Sequence, residues 1–155
     1  MVILEFLEMY LEQRGLNDVV LLSGTTKGTL RNNKTGDIIV YVGGESAGRK
    51  IAVECKFDKS IKFGDVDSPD IGSNKYDTAW SQLLEASVNR DSNASIIVFD
   101  KTLADASIQR AVDGVAYIED IGFVCIIDYE ASDYHNLAVA YNLARSLALR
   151  RDGKN

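Results

Sequence analysis

Histidine, cysteine and proline are scarce in this 155-residue chain, which holds one, two and one of them. A lone histidine, His135, gives little support to a histidine-based catalytic triad, and no Cys/His cluster is present for zinc. The cysteines, Cys55 and Cys125, both lie in apolar strand-like runs. They are expected to be small buried hydrophobes in a reducing, cytoplasmic compartment. The single proline, Pro69, falls in a polar stretch, and there are no repeats, low-complexity tracts or linkers. No apolar run approaches the roughly 20 residues that span a bilayer, so no membrane partner is expected. The apolar opening MVILEFLEMYLEQRG carries Glu5, Glu8 and Glu12 and lacks a basic leader, unlike a signal peptide. Basic charge is also short. Seventeen Lys and Arg against 23 Asp and Glu leave a net charge of −6, which argues against a general nucleic-acid coat protein. It does not exclude an enzyme whose metal site is itself acidic, because a bound cation reverses the local sign.

What remains is ordinary for a soluble globular protein: 46% hydrophobic and 26% charged residues, enough for one domain over 1–150 with a frayed tail at 151–155. Residues 2–14 read as a helix, with Ile3, Phe6, Leu7, Tyr10 and Leu11 on one face and the glutamates on the other. Val19–Leu22 reads as a strand, and SGTTKGTLRNNKTG as a loop or ragged hairpin. Two apolar strands follow at 37–42 and 50–57, then a polar loop at 58–73. A second helix is expected over 74–89, its inner stripe formed by Tyr76, Ala79, Trp80, Leu83 and Val88. Ala94–Phe99 is apolar on both faces, as in a central strand. A short helix at 103–112, strands at 115–118 and 123–127, and a last helix over 133–149 complete the reading. That last helix has a wide apolar band suited to packing on the sheet. Leu143 and Leu149 are offset from it, and the alternative for the band is a dimer contact.

Charge stands out in the stretch GDIIVYVGGESAGRKIAVECKF, which reads as two strands joined by a Gly-rich turn. Strand side chains alternate between faces, so Glu54 and Lys56 share one face while Val53, Cys55 and Phe57 take the other. Asp37 opens the preceding strand, with Ile38, Val40 and Val42 on the face opposite Asp37, Ile39 and Tyr41. If the strands pair as a hairpin, one carboxylate from each converges with an ammonium beside them. That constellation suits a divalent metal and a phosphodiester.

An Asp opening one strand and Glu-x-Lys on the next resemble the PD-(D/E)xK nucleases, with Asp37, Glu54 and Lys56 at the matching positions. Gly36 stands where that superfamily often has proline. The order helix, three strands, helix, strand also resembles its core. The resemblance implies an α/β restriction-endonuclease-like fold with a central mixed sheet flanked by helices. It further implies a Mg²⁺-dependent DNA endonuclease, in which Mn²⁺ substitutes, acting as a homodimer and closest in type to archaeal Holliday junction resolvases. Asp37, Glu54 and the backbone carbonyl of Cys55 would hold the metal, and Lys56 would orient the attacking water. Some family members add an acid on the first helix, for which Glu8 is the first choice and Glu5 the second. Others place Gln or Lys on the second helix, where Gln82 and Lys75 lie seven residues apart. Lys27, Arg31, Lys34 and Lys75 are the candidate nucleic-acid contacts. The alternatives are a catalytically silent binding or subunit-interaction module of the same fold, a restriction- or phage-type nuclease, and a nuclease acting on RNA.

Overall fold

The computed structural model describes residues 2–22, 37–56, 91–102 and 112–152. Within them a six-stranded sheet is formed by β1 (Val19–Leu22), β2 (Asp37–Tyr41), β3 (Lys50–Lys56), β4 (Ala94–Asp100), β5 (Val115–Ile118) and β6 (Gly122–Ile127). The strand order is β1-β2-β3-β4-β6-β5. β1, β2 and β3 form an antiparallel meander; β3, β4 and β6 run parallel; β5 folds back antiparallel on β6. Helices α1 (Val2–Arg14) and α2 (His135–Asp152) complete the described α/β architecture. Neither is long and apolar enough to cross a membrane.

Alternation along the strands divides the apolar residues between two cores. Ile38 and Val40 of β2, Ile51, Val53 and Cys55 of β3, Ile96 and Val98 of β4, and Cys125 of β6 form the first face. Onto it pack Ile3, Leu7 and Leu11 of α1 and Leu137, Ala140, Tyr141, Ala144 and Ala148 of α2. Each fully buried Ile or Leu here contributes about 1.5–3 kcal/mol. The second face carries a smaller cluster of Ile97, Phe99, Val124 and Ile126 with Val112 and Ile121. β4 is buried along its whole length, as its unbroken apolar run demands of a central strand. Both cysteines are buried free thiols, and burial pushes the Cys125 thiol up, so it stays protonated. Gly122 is obligatory: at φ 127° a Cβ would lie 2.6 Å from the Ser95 carbonyl oxygen.

Several boundaries differ from the sequence reading, each for a local reason. β2 stops at Tyr41 because Gly43, with φ 80°, turns the chain. β4 runs one residue further, to Asp100, whose carboxylate finds partners inside the fold. α2 starts at His135 rather than 133, because Asp133 accepts the His135 N–H at 3.1 Å and is held back by paired backbone bonds with Asp128. The same helix continues through Asp152, past the expected end at 149 and into the segment read as a tail. Arg150 and Arg151 are good helix formers and favour a helix C-terminus. The two described helices both pack on the first face. The expected loops at 23–36 and 58–73, the helix over 74–89 and nearly all of the short helix at 103–112 lie outside the described residues.

Candidate active site

The β2–β3 hairpin fixes where the three motif residues stand. Its register pairs Asp37 with Glu54, Ile39 with Ala52, and Tyr41 with Lys50. At the turn, the Val42 N–H donates to the Arg49 carbonyl at 2.9 Å, which makes that pair a hydrogen-bonded one. Counting back along the ladder, Asp37 and Glu54 fall on a non-hydrogen-bonded pair, the closer kind, with Cα atoms about 4.5 Å apart. Directly opposed positions lie on the same face of a sheet, so Asp37 and Glu54 share the second face. Lys56 follows two residues later on that face, level with Phe99 of β4. Glu54 is half-buried.

Cys55 takes the other face, and its backbone orientation follows from the same alternation. The Lys50 N–H donates to Asn93 Oδ1 and the Lys50 carbonyl accepts the Asn93 N–H, both at 2.8 Å, so the backbone of Lys50 faces β4. Five residues on, the carbonyl of Cys55 is directed to the β2 side, beside the Asp37 position. Two carboxylate-bearing positions and one carbonyl are thus brought to one end of one hairpin.

That end is shared by other elements. β2 begins there, β3, β4 and β6 end there, and α2 starts there. In sheets with parallel strands, the carboxyl ends are where ligands characteristically bind. The Phe6 ring, 5.1 Å from that of Tyr134, brings the N-terminal half of α1 to the same end. Glu8 and Glu5 are both exposed on α1, and α1 packs on the face opposite the Asp37–Glu54 pair. Glu5 lies about one helical turn nearer the strand ends than Glu8. Gln82, Lys75, Lys27, Arg31 and Lys34 lie outside the described residues. Among the described residues, no group of three or more His, Cys, Asp or Glu side chains could hold a metal ion.

Sequence reasoning missed Asp100, the last residue of β4. It is 3% exposed, accepts the Tyr129 N–H at 2.8 Å and also accepts the Thr102 hydroxyl. It anchors the loop between β6 and α2 at this end of the sheet. The signal was present, since an acid closing the apolar run SIIVFD interrupts a strand just as Asp37 and Glu54 do.

A second missed group sits at the turn end of the hairpin. Asp18, between α1 and β1, accepts the Tyr141 hydroxyl at 2.5 Å, the Arg145 Nε at 2.7 Å and the Gly43 N–H at 2.8 Å. Burial pushes the Asp18 carboxyl up, but Arg145, Tyr141 and the Gly43 amide outweigh it and leave the group below its ordinary value of 3.8. The hydrogen bond to Asp18 raises Arg145, while burial and then Asp18 raise the Tyr141 phenol. Asp18 is therefore ionised, paired and committed to structure.

No family model, curated protein or solved structure matches this chain.

Proposed function

We propose that this protein is a metal-dependent endonuclease of the PD-(D/E)xK type that hydrolyses phosphodiester bonds in DNA. The observation that carries this reading is the register of the hairpin, which sets Asp37 directly opposite Glu54 with Lys56 two residues on. Directly opposed positions on one face are close enough for both carboxylates to reach one ion. The sheet is mixed, as the resemblance to that superfamily implies.

The donor set fits a hard cation. Carboxylates of Asp37 and Glu54 and the carbonyl of Cys55 are oxygen ligands, and Mg²⁺ is typically held by one or two carboxylates, with waters and a substrate phosphate filling the octahedron. Once bound, Mg²⁺ supplies Lewis-acid charge neutralisation and a more acidic water. The remaining work falls to the chain. Asp37, Glu54 and the Cys55 carbonyl would hold that ion. Lys56 orients the attacking water, helps to deprotonate it and offsets charge on the phosphate oxygens. Glu5 or Glu8 is the candidate further acid from α1. DNA is the proposed partner and two copies of the chain the proposed working unit, with Leu143 and Leu149 of α2 exposed for that contact.

A cleavage assay in Mg²⁺ or Mn²⁺ tests the reading, comparing four-way junction, flap, linear duplex, single-stranded DNA and RNA. Metal-dependent cutting by the wild type and none by a folded Glu54→Ala variant is the expected result. Preference for the junction would place the enzyme with the resolvases, and preference for RNA would redirect the substrate. Absence of cutting on every substrate by a well-folded chain would replace the nuclease with a silent binding module.

A further inference from the structure

We propose that the groove between α1 and the start of α2 docks a basic amphipathic helix from a partner protein, an inference independent of the nuclease reading. The groove has a volume of about 530 Å³ and its walls are mainly apolar, with Phe6, Met9, Tyr10, Tyr134 and Ala138 among them. Met9 is 49% exposed, a long flexible side chain left in water at the mouth of an apolar cleft.

Its walls are already in place. The Tyr10 hydroxyl accepts the Asn142 amide at 2.6 Å, and the Phe6 ring stacks on Tyr10 at 5.9 Å and packs on Tyr134. α1 and α2 rise side by side from the same end of the sheet, and the cleft lies between Val2–Tyr10 of α1 and the start of α2. A cleft of this kind takes an apolar helix face through anchors at i, i+3 or i+4, and i+7. Preformed walls spare the complex the cost of ordering the receptor.

Charge selects among occupants. Glu5 lines the groove, and Glu8 and Glu12 follow on the exposed side of α1. Glu130 and Asp133 are exposed in the loop that leads into Tyr134. α1 carries a single basic residue, Arg14, whose guanidinium lies 5.4 Å above the Tyr10 ring at the far end. α2 has no Lys or Arg before Arg145, which is committed to Asp18. An acidic rim repels nucleic-acid phosphates and anionic lipid headgroups alike. It attracts a helix whose apolar stripe is flanked by Lys and Arg, and steers its approach.

The test uses the full chain and two fluorescently labelled helical peptides. They share one Leu/Phe stripe, flanked by Lys and Arg in the first and by Glu in the second, and binding is read by anisotropy. The basic peptide is expected to bind at least tenfold more tightly than the acidic one, and more weakly as salt rises. Met9→Glu, at an exposed position that leaves the fold intact by thermal melting, is expected to weaken the basic peptide at least tenfold. Glu5→Lys is expected to narrow the preference between the two peptides. Equal binding of both peptides, or binding of neither, would overturn the proposal. So would self-association of the wild type, seen by light scattering and lost in Met9→Glu, because the occupant would then be a second copy.

Discussion

The two ends of the β2–β3 hairpin both carry carboxylates, and the fold treats them in opposite ways. At the turn end, Asp18 is buried among Tyr141, Arg145 and the Gly43 amide, each aimed at one of its oxygens. At the open end, Asp37 and Glu54 are set against each other across two strands. A carboxylate whose charge is answered by the fold contributes to stability. At the open end it is strand register that brings two carboxylate-bearing positions together. On the proposed reading, the difference separates architecture from chemistry.

Substitutions at the two ends test that separation. Asp37→Asn or Glu54→Gln is expected to lower metal-dependent cleavage on the order of 10³-fold, since the ion's contribution is several kcal/mol. Melting without metal should fall far less than in Asp18→Ala, and an equal fall would break the comparison. Asp18→Ala should do the reverse. Removing one partner of a buried pair costs about 3–5 kcal/mol, and the lower end applies because the Arg145 side chain keeps 23% of its exposure. Denaturant titration should show that loss, with cleavage per folded molecule unchanged. Lys56→Ala should reduce turnover about 10²-fold, with a smaller effect on metal affinity by calorimetry. Comparable losses in both would make Lys56 an aid to metal binding rather than to the attacking water.

The smallest effect is in the pH dependence. The carboxyl of Asp18 titrates below 3.8 in the folded chain, so the unfolded chain binds more protons as acid is added. Its stabilisation is complete above that value and is lost as pH falls through the folded one. The stability gap between wild type and Asp18→Asn should therefore close below about pH 4. A gap that stays constant down to acid unfolding would show that Asp18 acts through packing alone.

Much of this was legible in the sequence. The alternation of Ile38, Val40, Ile51 and Val53 marks two half-buried strands, and charges breaking that alternation point to Asp37, Glu54 and Lys56. The unbroken run ending at Phe99 marks β4 as central. Register was not legible, because pairing depends on how Gly43, Gly44 and Gly48 shape the turn, and a one-residue slip would separate Asp37 from Glu54. The Asp18 cluster was not legible either. Its members are 123 and 127 residues apart, and Tyr141 falls in an apolar stripe that explains it without a partner. Arg145, four residues after Tyr141 and so on the same side of the helix, was the one hint, and nothing local identifies its acid. Asp100 was passed over because it closes a strand whose apolar run already accounted for itself.

The bonds from Tyr10 to Asn142 and from Asp18 to Arg145 clasp the beginning of the chain to its end. This has a consequence for synthesis. α1 emerges from the ribosome more than a hundred residues ahead of the helix it packs beside. At roughly 5–20 residues per second, Ile3, Leu7 and Leu11 wait on the order of ten seconds without their final neighbours. The nascent chain is thus most open to chaperones, and to aggregation, during the interval before α2 arrives.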